Sequence, residues 1–370
     1  LEFRRVLFRS GALVEAPGQS VRIAAVAATP TNTALPREGF VSGRVYIDNG
    51  AVIDVAGIAG VELPMSANLV NVPRVGQNEL ADTPVQRGGP LFGVPITVDA
   101  RVTGTRSDGV AWTGTPLANV GGYVQQVPRK IQQMLQNGGS IALAGDEVIT
   151  RSGSFLNLDG GYVHYLGGVI ETTRLIAANG AIIDIGSADP NVRYLGIAGR
   201  FVAEQPRWNV TTTYVNPLLA SQGGVYEPEY IQGGNAGSLL VYGERVLLLD
   251  GEMSAERMAG RRQIASGKLP TAGVFYAGPG NGLRNSAFPD QSALGFGPDY
   301  RLEDELPDIG QNAPGFSAGT SLPTEIRDAR LIVLSTHDLG ASGFGSVTVV
   351  ADEADKTTLS GSIEVAPGSG

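Results

Sequence analysis

Apolar and polar residues alternate along this chain in short runs separated by Gly, Asn or Asp. Val45-Tyr46-Ile47 and Ile53-Asp54-Val55 show the rhythm early, and Ile141-Ala142-Leu143 shows it again. A period of two turns one face of a strand toward a core and the other toward solvent. The runs also recur. Gly139-Ser140-Ile141-Ala142-Leu143 returns as Gly237-Ser238-Leu239-Leu240-Val241 and as Gly345-Ser346-Val347-Thr348-Val349. After each comes a small residue and an acid: Gly145-Asp146, Gly243-Glu244, Ala351-Asp352. A second glycine then opens another strand, Gly153–Leu158, Gly251–Ala255 or Gly361–Val365, and a shorter copy spans Gly43–Gly57 with Val45, Ile47, Ile53 and Val55 facing inward.

Strands this short cannot bury an apolar face alone, so successive units must stack. The predicted fold is all-β: a parallel, right-handed β-helix (solenoid) with loops, hairpins and one short helix outside its coils. Glycine is expected at the corners for its access to positive φ. A Greek-key sandwich would use similar strands, but the regular glycine-to-glycine spacing favours the solenoid.

The expected organisation places coils at 11–60, an extra-helical insertion at 61–138, a solenoid core at 139–255, a long irregular excursion at 256–328 and further, truncated coils at 329–370. The insertion reads as a hairpin, Ile96–Thr103 with Val110–Thr113 about Ser107-Asp108-Gly109. A helix follows at Pro128–Asn137, with Ile131, Met134 and Leu135 on one face. Coils are expected to run without a break from Ser140 to Gly186, through Val169–Leu175 and Ala181–Ile185. Leu1–Ser10 resembles a translated sequencing adapter and is expected to stand outside the fold, the chain being a piece of a longer protein.

Composition narrows the chemistry. A net charge of −9 with 27 Lys plus Arg argues against a nucleic-acid partner. No cysteine removes disulfides, thiolate nucleophiles and cysteine-held zinc. Two histidines, His164 and His337, leave little for a histidine metal cage. No apolar run is long enough for a membrane-spanning helix.

Several motifs mimic chemistry. Gly315-Phe316-Ser317-Ala318-Gly319 has the form of a nucleophile elbow, but Pro314 precedes it and Ser321-Leu322-Pro323 follows, which is not the strand and helix that motif needs. Gly267-Lys268 resembles the end of a phosphate loop, yet position 262 is arginine and Leu269 replaces the hydroxyl residue. His164 reads as a strand residue, and His337-Asp338 as a strand-end cap. Asp184, Asp189, Arg193 and Arg200 form the nearest approach to a glycosidase-like cluster. Asn209-Val210-Thr211 has the form of a glycosylation acceptor. The candidate binding residues are the basic group Arg257, Arg261, Arg262 and Lys268, suited to an anionic glycan or lipid head group; Glu252 and Glu256 beside it also fit a solvated loop. No catalytic residue, cofactor or metal is assigned, and the expectation is a protein that is not an enzyme.

The non-repetitive stretches add a family likeness. Val75-Gly76-Gln77-Asn78-Glu79-Leu80-Ala81-Asp82, Gly114–Ala118, Asp184–Asn191, Gly196–Gly199 and the tract from Arg207-Trp208 to Pro217-Leu218-Leu219 carry it, with the coil pattern of Gly139–Gly161. In these the chain resembles the filamentous haemagglutinin family of bacterial exoproteins exported by two-partner secretion, over most of residues 41–265. The resemblance implies a secreted or surface-displayed β-helical fibre acting in adhesion, aggregation or biofilm formation, or the stalk of a contact-dependent inhibition protein. It implies an outer-membrane two-partner secretion transporter as partner of the full-length protein, and host or bacterial surface glycans or proteins as targets. It supplies no catalytic residues. The competing expectations are a β-helix polysaccharide lyase or hydrolase and a non-catalytic glycan-binding module.

Overall fold

Two of the glycine-led repeats, Gly139–Leu143 and Gly237–Val241, pair side by side in parallel, with a shift of register after Gly145. In the computed structural model, which describes residues 5–25, 43–208, 210–215, 224–278, 299–323, 326, 331–350 and 357–360, strand Ser140–Thr150 lies beside Ser238–Leu249 with Ser140 opposite Ser238 and Ile141 opposite Leu239. The first half of Ser140–Thr150 also pairs with Ser20–Ala25, and its second half with Arg44–Ile47. Ser238–Leu249 passes the ladder on to Gly273–Ala277, which pairs with Phe344–Val349. A second parallel sheet repeats the order: Leu13–Glu15, Val52–Asp54, Phe155–Asn157, Glu252–Ser254. Alternation does what a period of two requires. Val45, Ile47, Ile53, Val55, Ile141 and Leu143 are fully buried in one shared core.

These strands belong to one of two compact units, drawn from Leu1–Val61, Ile131–Val163 and Ile231–Gly370. The other unit is drawn from Glu62–Lys130 and His164–Tyr230. In the first unit the outer face of the ladder is also apolar where Tyr46, Ile149 and Leu248 stand in register. Phe316 and Leu322 cover it, with the Phe316 ring 6.3 Å from that of Tyr46. Arg44–Ile47 is consequently buried on both faces.

The corner after the second strand varies while the ladder does not. From Glu15 the chain turns directly into Ser20. From Asp54 it reaches the equivalent Ser140 only after Glu62–Lys130, and from Asn157 it reaches Ser238 after His164–Tyr230. From Ser254 it passes a six-residue helix, Arg261–Ser266, before Val274. The same structural position thus carries a tight turn, two large inserts of nearly equal length and a short helix.

The two inserts fold together as the second unit. Val72, Val75, Leu80, Leu91 and Leu117 of the first insert share a core with Leu175, Ile185 and Tyr194 of the second. Buried Gln86 donates to the carbonyls of Pro190 (3.2 Å) and Val192 (2.7 Å), and Thr115 to that of Ile185 (2.8 Å). Pairing here is antiparallel: Leu69–Val72 with Ile96–Asp99, and Arg174–Ile176 with Ile182–Asp184.

Several expectations are corrected. The coil pattern does not continue to Gly186; beyond the boundary at Val163 the strands Gly168–Ile170, Arg174–Ile176 and Ile182–Asp184 pair antiparallel. Asn179-Gly180 is the cause, because Gly180 sits at φ +80° and the Asn179 side chain accepts from Ala181 N–H, closing a hairpin. The hairpin predicted at 96–113 is shorter, Thr103–Thr105 with Ala111–Thr113. Asp99 accepts from the Arg101 N–H and turns the chain between it and Ile96–Asp99.

The helix predicted at Pro128–Asn137 shrinks to Ile131–Met134, with Ile131 and Met134 exposed. The carbonyls of Leu135 and Gln136 accept instead from Ile58 and Gly161 N–H, which draws the chain into the ladder. The 256–328 stretch is not irregular throughout: Gly273–Ala277 extends the main sheet on buried Phe275 and Ala277, and Asp299–Glu303 pairs in parallel with Leu331–Ser335 and Thr357–Ser360. Arg5–Phe8, expected outside the fold, pairs with Arg44–Ile47 because Val6 and Phe8 alternate toward the core. Gly361–Val365 and Ala351-Asp352 lie outside the described residues.

Candidate functional site

The candidate basic group gathers around the helix Arg261–Ser266. Gly260 enters it where the chain passes close to its neighbour: a Cβ there would meet the Ile231 carbonyl at 1.7 Å. Gln263 is the anchor. Its Oε1 accepts from the N–H groups of Gly260 (2.9 Å) and Gly233 (2.8 Å), and its Nε2 donates to the Gly233 carbonyl (3.1 Å). Gly267 ends the helix at φ +68°, with Lys268 N–H bonded to the Gln263 carbonyl. The phosphate-loop look-alike is therefore a helix C-cap.

No residue of this helix is buried, so Arg261 and Arg262 project into solvent, as does Lys268 just beyond it. Arg257 differs: it is half-buried and its Nη1 donates to the Pro270 carbonyl at 3.2 Å, holding the following turn. The site offers exposed cations on a short rigid support, with Glu252 and Glu256 exposed nearby in the sequence. Arg261, Arg262 and Lys268 suit an extended anionic ligand rather than an enclosed one. The helix itself was missed in the sequence, although Gly267 directly after six residues free of proline and glycine is a stop signal.

The other motifs resolve into structural roles. Ser317 is exposed in a turn closed by Thr320; its neighbours Ala318 and Thr320 present their carbonyls to Arg44. Asp184 accepts from Thr172 and from Gly186 N–H (2.8 Å), and Asp189 from Asn191 N–H (2.8 Å), so both carboxylates cap local turns. His337 lies exposed in the first turn of a helix, Thr336–Ala341, that Ser335 caps through Asp338 N–H. Asn209 lies outside the described residues. Among the described residues no group of three or more His, Asp and Glu is arranged to hold a metal ion, and no helix is long and apolar enough to cross a membrane, which says nothing of strands.

The comparisons with known proteins are silent: no protein-family model, no curated protein and no solved structure matches the chain.

Sequence reasoning also missed an aromatic and charged cluster in the second unit. The rings of Tyr165 and Tyr230 stack at 4.7 Å, and the Arg101 guanidinium sits 5.6 Å from the Tyr230 centroid. Arg101 is bound by Asp99 at 2.6 Å, Tyr230 donates to Asn68 Oδ1, and His164 stands between Glu62 (3.8 Å) and Glu229 (3.5 Å). Burial is the main cause that raises both phenol pKa values; Tyr165 adds to it at Tyr230, while Arg101 opposes it at both.

A raised pKa favours the neutral phenol in the folded state. Its stabilisation is fully present below the unfolded tyrosine value of about 10 and is lost as pH rises through the folded value. Ultraviolet titration should show Tyr165→Phe and Tyr230→Phe each removing a late-ionising phenol, with unfolding accompanying that late phase in the parent. Loss of an ordinary early phase instead would contradict the burial.

Proposed function

We propose that the chain is a structural and adhesive segment of a large bacterial exoprotein, secreted or displayed on the cell surface. In this reading the parallel ladder is a β-solenoid, and its corners carry the surfaces that touch other cells. The observation that carries it is the in-order stacking: successive repeats add to two parallel sheets in chain sequence, while inserts accumulate at one corner. Such a scaffold gains avidity from repeated weak contacts, without a deep pocket. The likeness to filamentous haemagglutinins in the residues quoted above adds the outer-membrane two-partner secretion transporter as the export partner of the full-length protein, and surface glycans or proteins as targets. Arg261, Arg262 and Lys268 are the residues proposed for contact with anionic groups.

Reading the gene outward in both directions tests this. A long open reading frame with an Asn-Pro-Asn secretion domain and a neighbouring transporter gene is the expected result. A short self-contained gene would overturn it. Beads coated with the chain should also bind bacterial or host cells above uncoated beads.

A further inference from the structure

Among the described residues of the first unit, three of the four most exposed large apolar side chains gather at one corner. Ile131 is 73% exposed, Met134 66% and Ile264 60%. Ile231, Met258 and Leu269, in the same segments, are exposed as well. These segments, 131–137, 231–235 and 258–269, are tied together through the backbone. Gly161 N–H donates to the Gln136 carbonyl (2.7 Å), Gly234 N–H to the Gly161 carbonyl (2.8 Å) and Met258 N–H to the Gly234 carbonyl (3.2 Å). Asn235 N–H donates to Asn137 Oδ1 (2.9 Å), and Gln263 grips Gly233 through both ends of its amide. Gly233 and Gly234 permit the approach: a Cβ on the first would meet the Met258 carbonyl at 1.9 Å, and one on the second the Gln136 carbonyl at 2.1 Å.

Both short helices at this corner, Ile131–Met134 and Arg261–Ser266, bury no residue. They stand proud of the core, and scattered exposed aliphatics are ordinary where a cluster of them is not. Charge is segregated here too. The three segments hold Arg261, Arg262 and Lys268, all exposed, and no Asp or Glu, in a chain with 36 acids against 27 bases. Cations beside protruding aliphatics match an anionic bilayer. Arg and Lys reach the phosphates while their stems and the neighbouring Ile and Met sink toward the acyl chains. A soluble polyanion would leave Ile131, Met134 and Ile264 in water, and an apolar protein would leave the three cations without counter-charge. The segments also carry no Trp, Tyr or Phe, the side chains in which protein interfaces are enriched.

We propose that this corner of the first unit is a peripheral membrane-docking surface for an anionic phospholipid bilayer. Ile131, Met134 and Ile264 enter the headgroup layer, and Arg261, Arg262 and Lys268 lie on the phosphates. This rests on reading those three cations as contacts for anionic groups, and it names their partner.

The chain has no cysteine, so Ile264→Cys and Leu195→Cys each take a single polarity-sensitive fluorophore. With the full 370-residue chain on vesicles of phosphatidylglycerol and phosphatidylcholine, emission from the label at 264 should shift to the blue. The label at 195, an exposed position of the second unit, should not respond. Cosedimentation with these vesicles should exceed that with phosphatidylcholine alone and fall as salt rises. Arg261→Gln with Lys268→Gln should weaken it by about tenfold or more, and Met134→Ser with Ile264→Ser by about tenfold. All four positions are exposed, so unaltered thermal melting would show that each variant is folded. Absence of vesicle binding by the parent chain overturns the proposal. So does binding that needs the cations but is unmoved by the Met134 and Ile264 changes, which would make the corner a contact for anionic groups alone. If vesicles are ignored while coated beads still bind cells, this surface falls and the adhesive reading stands. A short self-contained gene would remove the exoprotein reading and leave the vesicle result to judge the surface.

Discussion

Gly139→Ala should prevent the first unit from folding, or destabilise it by more than about 3 kcal/mol, the upper end of ordinary overpacking. The sequence argument assigns the repeated corner glycines to positive φ. That holds at Gly153, at φ +79°, but not at Gly139 or Gly237, which lie outside the left-handed region. Their reason is proximity. A Cβ on Gly139 would stand 1.9 Å from the Gln19 carbonyl oxygen, and one on Gly237 would stand 2.1 Å from that of Gly139. Those oxygens are held: Ser140 N–H donates to the first and Ser238 N–H to the second, both at 3.0 Å. The obstruction is therefore ladder backbone, which cannot rotate aside as a side chain can. Gly122→Ala, with nothing within 4 Å of its Cβ, is the control and should change the melting temperature little. Far-ultraviolet circular dichroism and a urea melt of the two variants make the comparison. A native-like melt for Gly139→Ala would mean that the parallel strands are not packed as described.

What was legible in the sequence follows from how far each signal reaches. Ile141, Leu143 and Leu156 announce buried positions because alternation is local, and the glycine-led repeats announce their partners because identical strands in register must resemble each other. Alternation alone does not distinguish parallel from antiparallel pairing. That is why Arg174–Ile176 and Ile182–Asp184 look like further coils, although Asn179-Gly180 between them closes a hairpin. The helix Arg261–Ser266 buries no residue, so it imposes no apolar period on its sequence; its cations were visible and its shape was not. The exposure of Tyr214 was illegible for the opposite reason. An aromatic on a strand reads as core, and only the structure shows this side chain facing solvent. Least legible of all are polar contacts between residues far apart in the chain, where neither partner's neighbours carry a hint of the other.

The Arg44–Glu147 pair is such a contact, joining residues 103 apart, and breaking it should be the second severe lesion. The two residues stand opposite each other on adjacent parallel strands. Arg44 Nε donates to Glu147 Oε2 at 2.6 Å, with the side chains 5% and 1% exposed. Nη1 is used as well: it reaches the carbonyls of Ala318 (3.0 Å) and Thr320 (2.7 Å). That ties down the segment whose Phe316 and Leu322 cover Tyr46, Ile149 and Leu248. Arg44→Ala leaves a buried carboxylate without its charged partner and two carbonyls without this donor. The expected cost is about 3–5 kcal/mol, with earlier proteolytic cleavage in 306–323 as the cover loosens.

A buried pair is weak evidence of net stabilisation, because desolvation offsets much of the attraction. The double variant Arg44→Met with Glu147→Leu should therefore recover most of the loss, since it leaves no orphaned charge. Its cover should still be cleaved earlier than in the parent, because methionine cannot bond the Ala318 and Thr320 carbonyls. Equilibrium urea melts of the parent, Arg44→Met, Glu147→Leu and the double variant give the coupling. Single variants each costing under about 1 kcal/mol, the range of exposed pairs, would show that the pair is hydrated in solution and that apolar packing alone holds the cover in place.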